Sequence, residues 1–70
     1  MKQVAANMAG TVYQVLVQAG DQVSAGQDVI VLESMKMEVP IAAQEAGKVV
    51  DVKVQVGDFV NDGDIIVVLE

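Results

Sequence analysis

An all-β domain, with short antiparallel strands in two sheets folded onto one core, is the fold class the sequence predicts. Three observations predict it: an internal repeat, apolar residues at period two, and glycine-aspartate punctuation between them. No segment carries an apolar stripe at helical spacing behind a cap. Seventy residues make one domain, 1–70. So short a chain has a marginal core unless something reinforces it. With no cysteine and no histidine, disulfides and the usual zinc ligands are missing, and a chain that is 53% hydrophobic must rely on regular packing.

The repeat sets the order of elements. Ala9-Gly10-Thr11-Val12 matches Ala46-Gly47-Lys48-Val49, 37 residues on, and the match then runs ungapped to Val31-Leu32-Glu33 on Val68-Leu69-Glu70. Backward, Val4-Ala5-Ala6 falls on Ile41-Ala42-Ala43. Two copies are too few for a solenoid, so they predict a pseudo-two-fold domain whose halves cover each other's apolar face. Tyr13, Val15 and Val17 read as the inward side of one strand. Val50, Val52, Val54 and Val56, alternating with polar residues, read as its mate. Gly20-Asp21 and Gly57-Asp58 mark turns, and Gly26 and Gly63 mark the next ones. Val29–Leu32 and Ile65–Leu69 are apolar on both faces, as central strands are.

Charge excludes whole classes of partner. Ten carboxylates against Lys2, Lys36, Lys48 and Lys53, with no arginine, give −6. Such a surface repels phosphate backbones and anionic lipid, so no nucleic acid and no membrane partner is expected. The acidity serves solubility and also suits docking to positively charged sites on larger enzymes. The apolar runs are too short to span a bilayer as helices, and the N-terminus lacks a secretory pattern. The lack of cysteine fits a reducing compartment, and a cytoplasmic location is the expectation.

No catalytic set emerges. Asp58-Phe59-Val60-Asn61-Asp62-Gly63-Asp64 superficially suggests a calcium loop, but Val60 and Leu69 would fall where oxygen ligands are needed. Ser24 and Ser34 have no base to activate them. The carboxylate pairs Asp62 with Asp64 and Glu33 with Glu38 lie on turns, where solvation explains them. The chain is expected not to be an enzyme.

One stretch resists a bland account. Lys36 stands between Met35 and Met37, inside Glu33 and Glu38, at the joint between the two repeats. A lone lysine on a turn is ordinarily just solvated. This one sits at the seam, framed by methionines, and a two-fold axis would put both termini at the opposite pole. A hairpin tip presenting the amine to solvent fits best. An exposed lysine stays mostly protonated, so its acylation needs another enzyme to supply an activated acyl group and a base. Acylation would turn the side chain into a long uncharged arm, which suits a carrier. The methionines read either as gap fillers at the barrel end or as braces and recognition surface, pointing away from Lys36 if the tip stays extended.

Glu33-Ser34-Met35-Lys36-Met37 resembles the attachment motif of biotinyl domains, the biotin carboxyl carrier family, whose usual form is Glu-Ala-Met-Lys-Met. Gly20-Asp21, Val23, Gly26-Gln27 and Val31-Leu32-Glu33 precede the lysine at that family's spacing and the second half mirrors them, so the resemblance covers essentially the whole chain. It looks most like the short biotin/lipoyl attachment proteins. The resemblance implies a flattened barrel of two four-stranded antiparallel sheets, a barrel-sandwich hybrid. It also implies that a biotin ligase joins biotin to the Lys36 amine using ATP. Biotin carboxylase and carboxyltransferase components would then load and unload the ring. Met35 and Met37 match the family's flanking methionines, associated with choosing biotin over lipoate, while Glu33, Ser34 and Glu38 complete the tip as secondary candidates.

Some features depart from the pattern. Ser34 replaces alanine, and the short turn between Val17 and Val23 leaves no protruding thumb to hold biotin against the domain. No alanine- and proline-rich linker precedes the domain, so the chain reads as a complete small carrier or an excised domain. Met37-Glu38-Val39-Pro40 is similar to lipoyl domains, which keeps lipoate at Lys36 as an alternative cofactor. A non-modified adaptor built on the same barrel is the third reading.

Overall fold

The computed structural model describes residues 1–70. Eight strands follow in order: β1 Lys2–Ala5, β2 Gly10–Val15, β3 Gln22–Val23, β4 Asp28–Ser34, β5 Met37–Ala42, β6 Gly47–Val52, β7 Phe59–Val60 and β8 Ile65–Leu69. They form two four-stranded antiparallel sheets, ordered β1-β8-β6-β3 and β5-β4-β2-β7. The expected all-β, two-sheet fold is therefore present. The two continuously apolar runs, β4 and β8, are each flanked on both sides.

Adding four to each strand number converts one sheet into the other, so the sequence repeat is a structural one. The halves do more than cover each other, however. Each sheet takes two strands from each repeat, and the cross-repeat pairs β1·β8, β3·β6, β2·β7 and β4·β5 hold the domain together. Neither half closes a sheet by itself.

The core repeats too. Its buried pairs are Val4 with Ile41, Ala6 with Ala43, Val12 with Val49, Val23 with Val60, Val29 with Ile66, Ile30 with Val67, and Leu32 with Leu69. Val17 alone is buried where its counterpart, Val54, is half-buried. Small β-branched side chains with few rotamers are what let a 70-residue chain pack this regularly.

Three residues expected to face inward do not. Tyr13 is 44% exposed and Val50 is also exposed, while Val12 and Val49 are buried. The register against the neighbouring strand shifts between Val12 and Gln14, and again between Val49 and Asp51. Tyr13 and Val50 are thus the extra residues of equivalent β-bulges, and a bulge breaks strict alternation. Val56 lies exposed in a turn rather than on the strand.

Four tight turns share one design. In Gln18–Asp21, Ser24–Gln27, Gln55–Asp58 and Asn61–Asp64, the fourth residue's N–H donates to the first residue's carbonyl at 3.0–3.1 Å. The fourth side chain accepts from the first residue's N–H at 2.8–3.0 Å. The Asp58 and Asp64 carboxylates of the superficially calcium-like segment are therefore committed to backbone. The third residue is always glycine, with φ between 87° and 99°, the type II geometry. Glycine N–H groups also stitch the repeats: Gly57 to the Val12 carbonyl at 2.9 Å, and Gly20 to Val49 at 2.8 Å. At Gly57 an added Cβ meets no atom within 4 Å, but φ of +98° strains any L side chain. Gly57→Val is expected to cost about 1–3 kcal/mol. At about 4–8 °C per kcal/mol in a domain this small, the melt shifts down by roughly 5–20 °C.

Candidate functional site

The β4–β5 hairpin carries the expected site. Its last rungs pair Leu32 with Val39, Glu33 with Glu38 and Ser34 with Met37. Leu32 is fully buried and anchors the hairpin, while Glu33 and Glu38 face solvent directly opposite one another. Ser34 is half-buried on the inner side.

Only Met35 and Lys36 remain to reverse the chain, and both adopt positive φ, 53° and 64°. Left-handed residues at both central positions make a type I′ turn, whose twist matches that of the strands it joins. Asn-Gly is the usual sequence for that turn, because an L side chain there costs roughly 1–2 kcal/mol per residue. Strand pairing and the buried base of the hairpin therefore impose this turn on Met-Lys. The tip is not extended, which corrects the condition under which Met35 and Met37 would both point away from Lys36. Met35 precedes Lys36 within the reversal, and Met37 begins the returning strand.

Nor are the methionines gap fillers. Met35 is 92% exposed and Met37 65%. Lys36 is exposed and takes part in no hydrogen bond or ion pair. Lys2 and Lys53, unlike Lys36 and Lys48, have side-chain partners. The Lys2 ammonium donates to the Ala46 carbonyl. The Lys53 ammonium lies 2.9 Å from Asp51, hydrogen-bonding to it and holding its carboxyl below the ordinary value. Lys48 is exposed on β6 of the other sheet.

Beneath the tip, β2 passes close to β4 at Gly10, where an added Cβ would sit 2.9 Å from the Glu33 carbonyl oxygen. The chain ends lie away from the tip. Lys2 pairs with Leu69, and both line a recess with Ala42. Ala42 is five residues down β5 from Met37, about 17 Å at strand rise. The fold thus displays a partner-free primary amine on a two-residue turn, beside exposed methionines and carboxylates. Phe59, which sequence reasoning passed over, is also exposed near the tip, at the outer edge of the same sheet. The repeat could have flagged it, since its counterpart is Gln22.

Comparisons with known proteins agree on the kind of domain. The family model described as "Biotin-requiring enzyme" matches residues 2–69. A biotin/lipoyl attachment protein of Bacillus subtilis is 58% identical over 38 residues, covering 54% of this chain and 52% of the relative. The methylmalonyl-CoA carboxyltransferase 1.3S subunit of Propionibacterium freudenreichii subsp. shermanii is 58% identical over 36 residues, 51% of this chain and 29% of that one. These matches thus span about half, or less, of the curated relatives' length. Among solved structures, the Kluyveromyces lactis urea carboxylase superposes at TM-score 0.92 with 32% identity, over 99% of this chain and 6% of its own. A single-chain, multi-domain long-chain acyl-CoA carboxylase superposes at 0.86 with 38% identity, over 94% of this chain and 7% of its own.

Proposed function

The chain belongs to the biotin/lipoyl family of biotin-requiring enzymes, and on that premise we propose that it is a biotin carrier domain acylated at Lys36 by a biotin ligase. The observation that carries this reading is the amine itself: exposed, without an ion pair or hydrogen bond, on a hairpin tip remote from the chain ends. Lys36 is exposed at the tip, and the other lysines lie on strands or are engaged with neighbours. The residues present therefore fit covalent attachment.

The chain contributes position rather than catalysis. In the acylation, the Lys36 nitrogen bonds the activated acyl carbon and the activating group leaves with its electron pair. The surplus protons pass to a base on the ligase, and ATP drives the activation. The resulting amide removes the charge and lengthens the arm. Attached biotin supplies a ring that accepts and releases a carboxyl group. The left-handed pair Met35-Lys36 closes the exposed tip that carries the arm, while Leu32 and Gly10 fix the hairpin's base. Met35 and Met37 offer the ligase apolar contacts that the fold does not need, with Glu33, Ser34 and Glu38 beside them. Biotin carboxylase and carboxyltransferase components are the downstream partners this reading calls for. The carboxyltransferase subunit among the relatives and the carboxylases among the structural neighbours support that choice.

Incubation with biotin ligase, ATP and biotin, followed by intact mass and streptavidin blotting, tests the reading. One biotinyl group per chain is expected. No added mass would overturn it, and acylation by a lipoate ligase alone would make the domain a lipoyl carrier.

A further inference from the structure

The duplication makes one half of the domain a control for the other. The outward-facing row just below the tip runs Glu38–Glu33–Thr11–Phe59 across all four strands of its sheet. Cross-strand partners share a face, and all four residues are exposed. The positions 37 residues away in the other half are Met1, Glu70, Lys48 and Gln22, with Met1 and Glu70 just outside strands β1 and β8. There Gln22 pairs with Lys48, and the Glu70 N–H donates to the Lys48 carbonyl at 2.8 Å.

Two differences separate the rows. The second has a cation, Lys48, on the backbone neighbour of Glu70, although no ion pair forms between them. The tip row has Thr11 in that position and sets two glutamates directly opposite each other, an arrangement that destabilises a sheet. The second row also ends in polar Gln22, whereas the tip row ends in Phe59, 65% exposed on an edge strand. Gln22 establishes that this edge pairs without an aromatic. The opposed glutamates disfavour the isolated domain, the ring is mostly outside its core, and both lie at the lysine end. A lone exposed apolar residue needs no explanation. An aromatic in one row with a pair of like-charged glutamates, where the duplicate copy has neither, does.

We propose, resting on the reading that Lys36 is acylated, that this row is the docking surface for the acylating ligase. Phe59 fills an apolar pocket at its edge, and Glu33 and Glu38 face a basic rim. Strands spaced by about 4.8 Å put Phe59 roughly 10 Å across the sheet from Glu33. An enzyme that acylates a bare lysine arm must close over the tip and so meets this row. After acylation the arm is longer, and later enzymes reach its end without covering β7. That difference assigns the surface to the ligase rather than to the carboxylase components.

Phe59→Gln copies the duplicate position and tests the proposal with the source organism's biotin ligase, ATP and biotin. The expected result is a fall of about five- to tenfold in kcat/KM, carried by KM, with kcat and Tm unchanged. Thr11→Lys copies Lys48; it is expected to lower kcat/KM less and to weaken its dependence on added salt. Wild-type protein labelled at Lys36 alongside Phe59→Gln labelled at the same rate overturns the docking surface and leaves the carrier reading standing. A Phe59→Gln protein that loses its native melt also overturns it, because the ring would then serve the fold. Wild-type protein that accepts no biotin overturns both.

Discussion

Lys36→Arg is expected to abolish biotinylation completely while leaving the domain folded. Arginine keeps the charge and most of the side chain, but its guanidinium stays protonated and is a poor nucleophile. Lys36 makes no hydrogen bond and no ion pair, so the substitution removes nothing the fold uses. Exposed changes of that kind usually stay within about 0.5 kcal/mol. The melt should therefore move by no more than about 4 °C. Intact mass and streptavidin blotting after ligase treatment read the first half of the prediction, and thermal circular dichroism reads the second. Label persisting in the variant would move the site to Lys2, Lys48 or Lys53. A collapsed melt would mean the tip contributes to folding in a way its exposure contradicts.

Leu32→Ala is expected to have the largest effect on stability. Leu32 is fully buried on β4, paired with Val12 on one side and Val39 on the other, two residues before the hairpin ends. Truncating a buried leucine costs about 2–5 kcal/mol, by lost transfer energy and by the cavity left behind. Domains typically have about 5–15 kcal/mol in total, and small ones sit at the low end. The melt should fall by at least roughly 10 °C, and at the upper estimate the variant is largely unfolded at room temperature. Leu69→Ala, at the duplicate position in the other sheet, should cost a similar amount. Denaturant melts of both variants measure this. A cost below about 1 kcal/mol for Leu32→Ala would mean the hairpin is not braced on the core, and a large gap between the two would mean the pseudo-symmetry does not extend to energetics.

Much of the fold was legible because it is written twice. Each apolar run and each glycine turn has a duplicate 37 residues away, and two concordant copies turn weak local signals into a firm topology. The seam between copies was visible for the same reason, and with it Lys36. Inward faces were less legible. At Tyr13 and Val50 a bulge lets two consecutive residues face solvent, and period-two reasoning has no means of registering the extra residue. The turn at Met35-Lys36 carries no Asn-Gly signal, because pairing of β4 with β5 imposes it. Phe59 was missed because its meaning depends on which strands lie beside it.

From the sequence alone came the strand content, the duplication, the acidic surface and the single lysine placed at the joint. These are local or periodic properties, fixed by residue type and spacing. Only the tertiary structure decided that the repeats interleave, that two left-handed residues present the amine, and that Glu38, Glu33, Thr11 and Phe59 share one row. Those facts depend on register between strands distant in the chain, and register is set by burying the whole core at once.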